Sequence, residues 1–210
     1  MKPARLRYLV VALALGSASA QSKQGIDDAD IWAATHYSDA LTLLFPVPTY
    51  EDARTNAMKW FISVTASPDG ARLFDPERQY ILIRSDTGEV KLRERTIVGG
   101  RLGEQLASGS RKNPSLNVAQ AIQDIRTEDV TIADLQCPQL RRLAKELEHL
   151  EMHVIPRDVL IIHATGYHVS VRTSIGDLRP FIVISDDEDP FSRWIDRLES
   201  TAKQCKKPAA

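Results

Sequence analysis

Two histidine pairs have the residue types and spacing to do chemistry, in a chain of 210 residues with five histidines. The first pair lies in "HLEMH", residues 149–153, where Glu151 stands between His149 and His153. Imidazole and carboxylate are zinc ligands, and residues four apart share one face of a helix. Rotation decides against a metal centre. Leu140, Leu143, Ala144, Leu147 and Leu150 form the apolar stripe of a helix beginning at Pro138, a residue suited to the first turn. His149 then falls opposite the stripe, His153 on its outer flank, and Glu151 on the leucine side, away from both. Glu146 shares the outer face, but so does Arg142, which repels a cation. A zinc-protease helix would read His-Glu-x-x-His, which is absent. A solvated helix face is expected here, without a metal.

The second pair is in "IIHATGYHVSV", residues 161–171. A two-residue Thr165-Gly166 turn would set His163 opposite His168, with β-carbons about 4.5–5.5 Å apart. Leu160, Ile162, Val169 and Val171 would face the core, leaving His163, His168, Ser170 and Arg172 outside. Such a pair could hold a metal or titrate at mildly acidic pH through mutual repulsion. No third ligand accompanies it, so a polar, solvated strand face is the simpler expectation.

A third candidate is cationic. Lys91, Arg93 and Arg95 alternate along one strand, with Arg84 and Tyr80 nearby. The row could receive an anionic envelope component (a glycan or a lipid headgroup) or an acidic protein, or simply cover an exposed sheet with charge. Other motifs fail on context. "STAK" (200–203) matches Ser-x-x-Lys but lies too near the end for the partner motifs that should follow. "DDED" (186–189) lacks the ligand order of a calcium loop, and "VGGRLGEQ" lacks the Gly-Lys-Ser/Thr of a phosphate loop. No Gly-x-Ser-x-Gly elbow occurs.

The elements that must position these residues follow from periodicity. Residues 30–44 read as a helix with Ile31, Ala34, Leu41 and Leu44 inward, stopped by Pro46 and Pro48. Strands are expected at about 58–66, 79–84, 89–96, 158–164, 167–173 and 178–184. Residues 98–114, rich in glycine and serine, read as a mobile loop, and 115–125 as a short helix. The last helix starts with Asp189 as N-cap and Pro190 in the first turn, and runs to about Cys205 with Phe191, Trp194, Ile195 and Leu198 inward. "RSDTGEVK" (84–91) is echoed by "RTSIGDLR" (172–179), so each hairpin would pair Arg84 with Glu89 and Arg172 with Asp177. Two readings stand: shared turn chemistry, or a duplicated helix–three-strand–helix unit.

The pattern is α+β: an antiparallel sheet built from hairpins, with helices packed on one side. One globular domain over 29–205 is expected, with two lobes (29–126 and 127–205) as the variant, a flexible start at 21–28 and a flexible tail at 206–210. Cys137 and Cys205 are the only cysteines, and an even count in an exported chain predicts a disulfide between them.

Residues 1–20 carry the export signal. Lys2, Arg5 and Arg7 precede the apolar run Tyr8–Leu15, and Ala18-Ser19-Ala20 forms a cleavage site before Gln21. Cleavage removes three cations and no anions, moving the net charge from −1 to about −4, which gives no reason to expect nucleic acid. The mature chain is expected in the periplasm or secreted, without a permanent membrane anchor or cofactor. Its expected role is a non-enzymatic envelope binding or accessory protein, of inhibitor, immunity or scaffold type. The partner would be another envelope protein or an anionic envelope component. The competing expectation is a small hydrolase that uses a histidine of the His163/His168 pair.

Overall fold

The computed structural model describes residues 27–67, 75–150, 166–173, 176–177, 181–184 and 189–206. The helices are α1 (Asp28–Leu44), α2 (Tyr50–Thr55), α3 (Leu102–Lys112), α4 (Val118–Ala121), α5 (Gln139–Glu148) and α6 (Pro190–Cys205). The strands are β1 (Met58–Ser67), β2 (Arg78–Ser85), β3 (Val90–Ile97), β4 (Thr127–Ala133), β5 (Gly166–Thr173), β6 (Gly176–Asp177) and β7 (Phe181–Ile184). They form one sheet in the order β4-β3-β2-β1-β5-β6, with β7 also on β5. Every pairing is antiparallel. The class is α+β. The expected strand at 158–164 and the expected export signal at 1–20 lie outside the described residues.

Alternation along the strands sorts two faces. On one, Ile62, Val64 and Ala66 of β1, Tyr80 and Leu82 of β2, Leu92 of β3 and Val169 of β5 pack against Leu140 and Leu143 of α5 and Trp194, Ile195 and Leu198 of α6. The stripe expected for α5 and the cap expected for α6 both form: Asp189 accepts the backbone N–H of Ser192 at 2.7 Å. Trp194 is fully buried and its indole N–H donates to the Leu143 carbonyl at 3.0 Å, locking the two helices together. The Cys137 and Cys205 sulfurs stand at disulfide distance, with Cα atoms 5.8 Å apart, and join the start of α5 to the end of α6.

The helices are not confined to that face, contrary to expectation. Gln79 on the opposite face is buried, and its amide donates to the carbonyl of Phe45 at 3.0 Å and to Ser63 Oγ at 3.1 Å. The chain leaving α1 therefore crosses the second face, and α2 lies on β1 beyond it with Ala53 buried. The reason is that Phe61 and Ile81 point to this side and need cover as much as the other face does. The inward side of α1 is also rotated from the expected one. Ala29, Ala33, Ala40, Leu41 and Leu44 are buried, while Ile31 is 52% exposed. Small alanines there let α3 approach closely, and a second core forms from α1, α3 and Ile125.

Two further corrections concern residues 98–133. The expected mobile loop contains the 11-residue helix α3, and an unexpected strand, β4, forms one end of the sheet path by pairing Lys91 with Ala133 through Ile97 with Thr127. The hairpin echo is half matched. Arg172 does face Asp177, but Arg84 faces Val90 while the Ser85 N–H donates to the Glu89 carbonyl. Gly88, at φ 86°, supplies the left-handed residue that this turn needs.

Candidate functional site

The structure describes some of the residues that the sequence had grouped and not others. His163, Glu151 and His153 lie outside the described residues. His149 is exposed as the C-cap of α5. His168 is exposed on β5, and its cross-strand neighbours are Thr65 of β1 and Ile182 of β7. The expected pairing of His168 with His163 lies outside the described residues. Arg172 lies over two aromatic rings, with its guanidinium carbon 5.5 Å from the centre of Tyr50 and 5.9 Å from that of Phe61.

The cationic row is split. Tyr80 and Arg84 share the face that packs on α5 and α6, opposite to Lys91, Arg93 and Arg95, because Arg93 pairs with Ile81 rather than Tyr80. Tyr80 is buried, and burial together with the charges of Glu199 and Glu94 pushes its hydroxyl pKa up. Arg84 pairs with Glu148, which also accepts the Trp60 indole N–H at 3.0 Å. Arg95 forms a two-pronged pair with Asp129, at 2.6 and 2.7 Å, and donates to the Leu44 carbonyl at 3.1 Å. Lys91 sits 3.1 Å from Glu89. Much of this row's charge is spent on internal partners.

A concave site forms elsewhere, between α3 and residues 113–125. It is an open groove of about 590 Å³, within the range typical of small-ligand sites. One wall is Glu104, Gln105, Ser108, Gly109 and Lys112 of α3; Leu116, Gln120 and Asp124 are among the residues that line the other.

The sequence builds this groove by local rules and one distant contact. Leu102, Leu106, Ala107 and Ser110 recur at helical spacing and are buried, so α3 turns that side to α1 and the rest to the groove. Its N-cap residue, Arg101, makes no side-chain cap. The cap comes from Glu77, buried just before β2, whose Oε2 accepts the Leu102 N–H at 2.9 Å. Tyr37 of α1 donates its hydroxyl to the other oxygen at 2.8 Å. Burial, and then the adjacent Glu77 charge, pushes the Tyr37 pKa up, so this hydroxyl stays a donor at physiological pH.

The opposite wall is held at both ends. Asn117 and Gln120 cap each other's backbone at 2.9 and 3.1 Å, starting α4. The Val98 N–H donates to the Arg126 carbonyl at 2.9 Å, which brings the Asp124 end beside Gly99 and the first turn of α3. At the other end, Leu116 seats on Gly109, where an added β-carbon would meet Leu116 Cδ2 at 3.3 Å. A glycine inside a helix is costly, and here it admits the neighbouring wall.

The groove went unread in the sequence because Gly99, Gly100, Gly103 and Gly109 suggested a loop. The signal that could have found it was Leu102-x-x-x-Leu106-Ala107-x-x-Ser110, an amphipathic helical spacing.

No protein-family model matches the chain, no curated protein matches it, and no solved structure matches it. Among the described residues no helix is long and apolar enough to cross a membrane.

Proposed function

We propose that this is an exported binding or accessory protein of the cell envelope, and that it recognises its ligand in the groove between α3 and residues 113–125. The observation that carries the reading is the groove itself: a cavity of small-ligand size lined by amides, the Ser108 hydroxyl, charges and the apolar Leu116, Ala121 and Ile125. The N-terminal export signal and the Cys137–Cys205 pair support an oxidising compartment outside the cytoplasm.

The test is to fill the groove. Ser108 is exposed on the α3 wall, so Ser108→Trp places an indole in the cavity without touching the core. Small molecules carried by the protein purified from an envelope fraction, and released by denaturation, are identified by mass spectrometry for both forms. A species present with the native protein and absent with Ser108→Trp supports the reading. Equal loading of the two folded forms places binding elsewhere, and a native protein that carries nothing and shows no thermal shift with envelope fractions rejects it.

A further inference from the structure

The two ends of the groove carry opposite charge. Glu104 in the first turn of α3, Asp124 and Gly99 define one end, because the bond between Val98 and Arg126 draws Asp124 toward the start of α3. Lys112 and Asn113, at the last residue of α3 and just beyond it, define the other. Glu104, Asp124 and Lys112 are exposed, and none makes an ion pair or side-chain hydrogen bond with another described residue. The neighbouring Arg111 contrasts with them: it is tied to Asp27 and Asp30, both at 2.6 Å. The α3 dipole runs the other way, positive at Glu104 and negative at Lys112. It amounts to about half a charge at each end, so the full side-chain charges set the sign.

We infer that the ligand of this groove is a short peptide with free ends, its ammonium group at Glu104 and Asp124 and its carboxylate at Lys112. Length supports this. Glu104 and Lys112 are eight residues apart on one helix, about 12 Å of rise at 1.5 Å per residue. An extended chain covers that span with about three to four residues at 3.3–3.6 Å each. Composition supports it too. Gln105 Nε2, Asn113 Oδ1 and Gln120 Oε1 are bonded within the protein, which leaves Ser108 Oγ, Gln105 Oε1, Asn113 Nδ2 and Gln120 Nε2 to meet a peptide backbone, and Leu116 and Ile125 offer aliphatic surface to small side chains. Among the described residues that line the groove none is an aromatic platform of the kind that stacks on sugar rings or bases. Two carboxylates at one end would repel a phosphate there.

This inference rests on the groove being the binding site, and the experiment separates the two. Calorimetric titration of the mature chain compares tetra-alanine with free ends, its N-acetyl form, its C-terminal amide and the doubly capped form, alongside a neutral tetrasaccharide. Free tetra-alanine is expected to bind best, with each cap weakening it about three- to tenfold, the range of exposed to partly buried ion pairs. Glu104→Gln should reduce the preference for a free amine, Asp124 remaining at that end, and leave the preference for a free carboxylate. Lys112→Gln should do the reverse. Both residues are exposed, so circular dichroism should show the native fold in each variant. Equal binding of free and capped peptides, or binding of the saccharide alone, that Ser108→Trp abolishes would overturn the peptide assignment and leave the groove standing. Binding indifferent to Ser108→Trp, or no binding by any probe, would overturn both.

Discussion

Glu77 Oε2 accepts the backbone N–H of Leu102 at 2.9 Å, so a carboxylate 25 residues away caps the helix that forms one wall of the groove. Its other oxygen takes the Tyr37 hydroxyl, and Tyr37 also contacts Ser67 Oγ at 2.8 Å. One buried side chain thus ties α1, the end of β1 and the start of α3 into a single unit.

Glu77→Ala leaves the Leu102 N–H and the Tyr37 hydroxyl without their acceptor. The expected loss is about 3 kcal/mol, from stranding buried donors that had a charged partner. Thermal unfolding should fall by about 6–12 °C for a chain of this size. Amide exchange should speed up in α3 before it does in β1 and β2. Unchanged exchange in α3 would show that its N-terminus does not depend on this cap.

Reducing the Cys137–Cys205 bond, which spans a sequence separation of 68 residues, should destabilise the protein by about 4 kcal/mol in the chain-entropy account. The buried Glu94 and the exposed Lys206, 2.6 Å apart, still hold the end of α6, so reduction should lower the melting temperature without unfolding the chain at 25 °C. Thiol titration of the denatured, unreduced protein should find none. Two free thiols would refute the bond.

Asp134 accepts the Arg141 guanidinium at 2.7 Å and the Val90 N–H at 3.1 Å, and is itself buried. The Arg141 hydrogen bond, reinforced by that backbone N–H, holds its pKa below the usual carboxylate range despite burial. A folded pKa below the unfolded one, about 3.9, means stabilisation that is present above that value and lost as pH falls through the folded pKa. The stability gap between the native protein and Asp134→Asn, from urea unfolding, should therefore be widest at neutral pH and close below about pH 4. A gap that does not change with pH would show that the charge contributes nothing.

Trp194→Phe removes the hydrogen bond to Leu143 and leaves a void between α5 and α6. Loss of about 2–3 kcal/mol is expected from the stranded carbonyl and the cavity together. The denaturation midpoint should shift without a change in slope. The variant should also lose the blue-shifted part of the native fluorescence, since Trp194 is fully buried.

Much of the fold was legible along the chain because helix and strand periods are local. The Leu140–Leu143–Ala144 stripe, the Asp189-Pro190 start of α6 and the alternation in β1, β2 and β3 each follow from side-chain direction within one element. With only two cysteines, the disulfide pairing was likewise legible. The sequence could not show which element covers which face. Tyr80 and Arg84 parted from Lys91, Arg93 and Arg95 only when the register set Arg93 beside Ile81. The strand β4, "TEDVTIA", has four consecutive exposed residues and no strong alternation of its own, so pairing with β3 is what makes it a strand. The helix α3 looked like a loop because Gly109 matters through a neighbour, Leu116, and its cap lies on a distant segment. Local propensity acts over a few residues, whereas the groove is a product of contacts between segments far apart in the chain, and only the tertiary structure decides those.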